Sequence, residues 1–242
     1  KYNTSTTINS DNPDPSNQGD NVTVNYTVTN ISGGPAPTGN VVVTVSGGSE
    51  SCTGTVADGG CTLALTNTGN PRTITATYPS NASFNGSSNT ASHVVNACVS
   101  NPIVTSTGDN GPNTLRDAVL NVCSAPNNNI TFNLGAGPHT IPVLSTLVIA
   151  RNVTITNTLS LGNGPLTIDA GGGAFRVFRV DSPVTTASLS NFTIKGANSN
   201  SSGAGLFVQS GTVTLTGMLF TGNTVLYGSG GGVGVTGGAT LD

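Results

Sequence analysis

Leu189-Ser190-Asn191-Phe192-Thr193-Ile194-Lys195-Gly196 returns 26 residues later as Leu215-Thr216-Gly217-Met218-Leu219-Phe220-Thr221-Gly222, and Leu241 falls another 26 residues on. Gly203-Ala204-Gly205-Leu206-Phe207-Val208 is echoed at a shift of 27 by Gly230-Gly231-Gly232-Val233-Gly234-Val235. A repeat of this length, made of short apolar blocks without helical spacing, predicts the coils of a β-solenoid. Each coil buries its apolar row against the next, and Gly and Asn mark the corners, where the backbone needs conformations these residues tolerate. The pattern assigns residues 129–242 to the solenoid.

Upstream the period changes. Val22, Val24, Tyr26 and Val28 alternate with polar residues, the spacing of a half-buried strand. Similar blocks at 4–9, 40–46, 52–56, 61–66, 72–78 and 91–96 bring the strands of residues 1–97 to seven, enough for a sandwich of about 100 residues. Asp11-Asn12-Pro13-Asp14-Pro15, Gly33-Gly34-Pro35 and Asp58-Gly59-Gly60 punctuate them as turns. Residues 98–128 are a linker holding the one predicted helix, Asn113-Thr114-Leu115-Arg116-Asp117-Ala118-Val119-Leu120, with Asn113 or Thr114 as its N-cap. Between two β regions, such a helix most simply covers an exposed sheet end.

The charge balance excludes whole classes of function. Of 242 residues only seven are Lys or Arg and ten Asp or Glu, scattered singly, for a net charge of −3. No basic stripe can neutralise the run of phosphates a nucleic acid presents, so nucleic-acid binding is not expected. The longest apolar stretch, residues 141–150, is broken by Pro142, Ser145 and Thr146, far short of the roughly 20 residues of a membrane helix. The first residues show no charged-then-apolar leader, so a signal peptide is expected to have been removed.

Two resemblances sharpen this reading. Thr7-Ile8-Asn9-Ser10 leading to Asp14-Pro15, Pro37-Thr38-Gly39, Cys52-Thr53, Cys61-Thr62-Leu63, Ala76-Thr77-Tyr78 and Phe84-Asn85-Gly86-Ser87 resemble bacterial immunoglobulin-like repeat domains, found in tandem on secreted and surface proteins. Val104-Thr105-Ser106-Thr107, Asp109-Asn110-Gly111-Pro112, Thr114-Leu115-Arg116-Asp117-Ala118, Ile130-Thr131-Phe132 and Leu166-Thr167-Ile168-Asp169-Ala170 resemble the right-handed parallel β-helices of bacterial surface proteins and polymorphic outer-membrane proteins, related in shape to pectate lyases. The fold these imply is all-β: an immunoglobulin-like sandwich, then a right-handed parallel β-helix with one N-terminal capping helix. Fold alone assigns no chemistry.

Cys52, Cys61, Cys98 and Cys123 admit three pairings, of which Cys52–Cys61 and Cys98–Cys123 are favoured, the first across a predicted hairpin. Loop closure makes these worth about 2.7 and about 3.5 kcal/mol, in an oxidising compartment; four buried free thiols are the alternative. Sequons at Asn3, Asn21, Asn25, Asn30, Asn81, Asn85, Asn129, Asn152, Asn191 and Asn200 barely exceed chance in so Asn- and Thr-rich a chain, and leave glycosylation open.

Lyases and hydrolases on such a scaffold need clustered carboxylates with a base alongside. The solenoid offers only Asp169, Asp181 and Asp242, so Asp169, Asp181, Arg176 and Arg179 are its best cluster, and an exposed ion-pair patch is the simpler reading. His93 and His139 are isolated and receive no role. The glycine run at 228–238 lacks the residues of a phosphate or calcium loop. Phe175, Phe178, Phe192, Phe207 and Phe220 are expected to stack inside the coils rather than to form a sugar platform. No catalytic residue, metal or cofactor is expected. The expected function is that of a non-catalytic extracellular or cell-surface structural protein, self-assembling head to tail into a filament or sheath, or forming a rigid stalk. Its partners would be copies of itself, other cell-surface proteins or carbohydrate. The solenoid would be incomplete or completed by a neighbouring subunit. A carbohydrate-binding adhesin and a polysaccharide lyase or hydrolase are the alternatives.

Overall fold

The computed structural model describes residues 1–158, 164–182 and 184–242. They fall into two units, Lys1–Cys98 and Val99–Asp242. The first contains β1 (Thr4–Asn12), β2 (Ser16–Asn17), β3 (Asn21–Asn30), β4 (Asn40–Val45), β5 (Ser51–Thr55), β6 (Gly60–Ala64), β7 (Gly69–Tyr78) and β8 (Ser87–Asn96). These pair into two sheets, β1-β3-β6 and β2-β8-β7-β4-β5. Val22, Val24, Tyr26 and Val28 of β3 pack with Val41, Val43 and Val45 of β4 and Ile74, Ala76 and Tyr78 of β7, while the residues between them in β3 face outward. Each buried Val or Ile contributes about 1.5–3 kcal/mol.

Inside this unit lies a buried ion pair. Arg72 and Glu50 are 3% and 8% exposed, with Nη2 2.8 Å from Oε2. Arg72 also donates from Nε to the Ser46 carbonyl and from Nη1 to Glu50 Oε1 and the Asn67 carbonyl. Glu50 Oε1 accepts in addition from the Thr66 and Asn67 amides and the Thr66 hydroxyl. Buried charges repay their desolvation only when so fully hydrogen-bonded. The Arg72 guanidinium holds the Glu50 carboxyl far below the usual carboxylate range, against the opposing effect of burial.

Cys52 and Cys61 are disulfide-bonded with Cα atoms 6.0 Å apart, but not across a hairpin. Cys52 lies on β5 and Cys61 on β6, edge strands of different sheets, because residues 56–59 carry the chain from one sheet to the other. The bond therefore fastens the two layers of the sandwich at one edge. Cys98 and Cys123 are each in a disulfide too, and no cysteine is free among the described residues.

The second unit opens with β9 (Ile103–Val104) and α1 (Leu115–Asn121). The coils follow as β10 (Asn129–Phe132), β11 (His139–Pro142) and β12 (Leu147–Ile149), then β13 (Val153–Thr156), β14 (Leu166–Asp169) and β15 (Phe178–Val180). Next come β16 (Thr186–Ser190), β17 (Thr193–Lys195), β18 (Asn198–Ser199) and β19 (Leu206–Val208). The last are β20 (Thr212–Thr216), β21 (Leu219–Thr221), β22 (Thr224–Val225), β23 (Val233–Val235) and β24 (Thr240–Leu241). Parallel pairing stacks them as β24-β20-β16-β13-β10-β9, β11-β14-β17-β21, β12-β15-β19-β23 and β18-β22. The solenoid sheet thus begins ahead of the helix, at Ile103–Val104, and not at residue 129. A two-residue strand leaves no periodic trace in a sequence.

Register places like on like: Ile130, Ile155, Leu189 and Leu215 form one interior column, Ile141, Ile168, Ile194 and Phe220 another, and Leu147, Phe178, Leu206 and Val233 a third. Outside the first sheet stand Thr154 and Thr156, Ser188 and Ser190, and Thr212, Thr214 and Thr216. Hydroxyls there pair between rungs, Ser190 with Thr156 at 3.0 Å and Thr212 with Thr240 at 2.6 Å. Corners are fastened by amide side chains. Asn223 donates to the Ile194 carbonyl and accepts from the Ala197 amide, and buried Asn157 donates to the carbonyls of Gly164 and Asn191.

Thr114 is the helix N-cap, its hydroxyl accepting from the Asp117 amide, while Asp117 Oδ2 reaches back to the amide of Asn113. This is a variant of the reciprocal capping box. Leu115, Ala118 and Val119 then enter the solenoid core, with α1 against β9 and β12.

Replacing Ile194 by Ala in its filled interior column is expected to cost about 2–5 kcal/mol, whereas Thr214→Ala on the outer face stays within about 0.5 kcal/mol; urea denaturation of both variants measures the contrast. In the sandwich, Arg72→Met strands a buried carboxylate and is expected to cost about 3–5 kcal/mol in the same assay. Because the folded Glu50 carboxyl titrates below its unfolded counterpart, its stabilisation is fully present above the unfolded value and is lost as the pH falls from there toward the folded one. Glu50→Gln is therefore expected to lower stability at neutral pH and to flatten its decline in acid, followed by thermal unfolding across pH.

Candidate functional site

The four residues of the solenoid's expected cluster divide between two sheets. Arg179 on β15 donates from Nε and Nη2 to Asp181 Oδ2, at 2.9 and 2.7 Å. Arg176 lies beside them, its Cζ 4.2 Å above the Phe207 ring and its Nε donating to the Ser202 carbonyl. Burial, and then the like charge of Arg179, pull the Arg176 guanidinium below its usual value, with Asp181 opposing. Asp169 belongs elsewhere, on β14, where Oδ2 is 3.2 Å from Lys195 Nζ of β17 and Oδ1 accepts from the Gly171 amide. The two carboxylates are thus each paired to a separate cation, and the group that remains together is a cationic, aromatic patch.

Two of the five phenylalanines follow the interior expectation directly: Phe178 and Phe192 are buried, and with Phe132 they form a tilted chain with ring centroids 6.3 and 6.4 Å apart. Phe175 and Phe220 are partly buried against the same core. Phe207 departs from it. Flanked by buried Leu206 and Val208, it takes the outward position of β19 and carries Arg176 on its face.

Among the sequons, the Nδ2 atoms of Asn25, Asn30, Asn81, Asn85 and Asn152 already donate to Ser10, Pro35, Tyr78, Asn3 and Thr185 respectively. A glycan there would displace a structural hydrogen bond. Asn3, Asn21, Asn129 and Asn200 are exposed, and Asn191 is half-buried at a corner with φ of 64°. A hollow of about 380 Å³ beside α1 is lined by Asn110, Gly111, Pro112, Arg116, Asp117 and Leu120. Its Arg116 is committed to Asp109 and to the carbonyls of Ser145 and Thr146, which makes it an anchor of the cap.

One constellation escaped the sequence reading. His93, fully buried on β8, has Nδ1 2.8 Å from Asp11 Oδ2 and 3.5 Å from Asp14 Oδ1, and Nε2 2.9 Å from the Ser16 hydroxyl. Asp14 Oδ1 also accepts from the Val94 amide. Among the described residues, these three side chains are the group able to present metal-ligating atoms to a common point. The available signal was phase: His93 is in step with inward-facing Val95, and a buried imidazole requires partners. His139 has the Gly135 carbonyl 3.0 Å from Nε2.

The Arg179–Asp181 pair is partly exposed, so Asp181→Asn is expected to change stability by only about 0–1 kcal/mol in chemical denaturation.

Residues 8–96 match the model of the bacterial Ig-like domain (group 3) family. No curated protein and no solved structure matches the chain. No helix among the described residues is long and apolar enough to cross a membrane. The chain therefore carries a bacterial Ig-like domain followed by a β-solenoid, with its cysteines oxidised, a combination that points to a surface or extracellular protein of structural or adhesive role.

Proposed function

We propose that the chain is a non-catalytic spacer of the bacterial exterior, in which the solenoid supplies stiffness and the Ig-like domain a second folded module. The observation that carries this reading is the uninterrupted rung-to-rung register of three parallel sheets over filled apolar columns. Every coil is held by backbone hydrogen bonds to its neighbours, so bending the stack means breaking ladders rather than rotating side chains. The separation of Asp169 from Asp181 on different sheets supports the absence of acid–base catalysis. Head-to-tail stacking of solenoids requires an open entry rung, and α1 packs its apolar face against that end.

A second, adhesive reading is favoured by Arg176 standing over the Phe207 ring with Arg179 beside it, a surface suited to the carboxylates of an acidic glycan.

Sedimentation and electron microscopy of the purified chain at high concentration distinguish these readings. Discrete particles at monomer mass, with no product released from acidic polysaccharides, are the expected result. Regular filaments would replace the spacer by a self-assembling element, and saturable glycan binding lost in Arg176→Ala would establish the adhesive role.

A further inference from the structure

We infer that Asp11, Asp14 and His93 form a binding site for a divalent transition-metal ion of the zinc class, which clips the first strand of the Ig-like domain to its last. The site sits where the chain changes sheets. After β1, which pairs with β3, it turns through Pro13-Asp14-Pro15 and re-enters as β2, which pairs in parallel with β8 of the opposite sheet. Asp11 ends one side of this crossover, Asp14 lies in its middle, and His93 rises from β8 beneath both.

Three observations favour an ion over a plain hydrogen-bonded cluster. The first is charge: two carboxylates converge on a single imidazole nitrogen, and one N–H satisfies one of them well. Arg72, directly across the ladder from His93, is committed to Glu50. The second is spacing. Zinc with N and O ligands at about 2.0–2.2 Å places neighbouring ligand atoms about 3–3.5 Å apart; His93 Nδ1 stands 3.5 Å from Asp14 Oδ1, within that span, and 2.8 Å from Asp11 Oδ2, a hydrogen-bond distance that has to open by only a few tenths of an ångström to admit the ion, and all three atoms lie within 4.8 Å of one another. The third is the ring's far side. Nε2 lies 2.9 Å from the Ser16 hydroxyl, which is itself buried, so a metal on Nδ1 leaves Nε2–H a ready acceptor that fixes the tautomer and orientation of the ligand.

The donor set selects the metal. An imidazole nitrogen with two carboxylates suits zinc and its neighbours, whereas calcium and magnesium take oxygen ligands. Asp14 is 38% exposed, which gives the ion an entry path and leaves room for water to complete the coordination. Bound metal would stabilise the folded domain by mass action.

The test is titration of the chelator-stripped full chain with zinc chloride, followed by calorimetry and by thermal unfolding. One zinc per chain, a raised unfolding midpoint and no comparable effect of calcium chloride are expected. Because His93 is fully buried and its replacement endangers folding, the deciding variant is Asp14→Asn, expected to weaken zinc binding about tenfold or more, with His139→Gln as the control that retains it. Absence of saturable zinc binding in the unsubstituted chain overturns the proposal, and so does Asp14→Asn binding zinc as tightly as the unsubstituted chain.

Discussion

The solenoid depends on one constraint: each coil must return to the same place in the stack with its inward residues over the inward residues of the coil before. Parallel strands hydrogen-bond to both neighbours only if the return is in register, and a slip of one residue would turn a column such as Ile141, Ile168, Ile194 out to water. Corners therefore matter as much as strands. Where Asn223 donates to one coil's Ile194 carbonyl and accepts from its Ala197 amide, a single side chain satisfies backbone groups that the turn has taken out of the ladder.

The Ig-like unit solves a different problem, holding two sheets face to face. Its apolar layer gives the bulk of the attraction, and polar devices set the alignment. The Cys52–Cys61 bond joins edge strands, the Glu50–Arg72 pair gathers two loops around one guanidinium, and the His93 group fastens the crossover between layers. In each, the partners come from different strands or loops, so each constrains topology as well as energy.

That distinction explains what could be read from the residues alone. The 26-residue repeat, the alternating strands and the capping helix are local or periodic, and each appears where its spacing places it. What was hidden depends on long-range choices. Cys52 and Cys61 look like hairpin partners because nothing in residues 56–59 announces a change of sheet. Phe207 looks like its interior counterparts until the parity of β19 is known. Asp11, Asp14 and His93 meet across about 80 residues of intervening chain, with only the inward phase of His93 to hint at it.

The outer face of the longest solenoid sheet carries a further consequence. Two pairs of its hydroxyls, Ser190 with Thr156 and Thr212 with Thr240, bond between rungs, and none of the outward threonines and serines is ionised. Ionic strength acts on surfaces through the screening of charges, and this face presents almost nothing to screen. A wall so made is indifferent to its electrolyte: it keeps the same hydrogen bonds in dilute water and in brine, a property suited to material that lies outside the cell's own regulated interior.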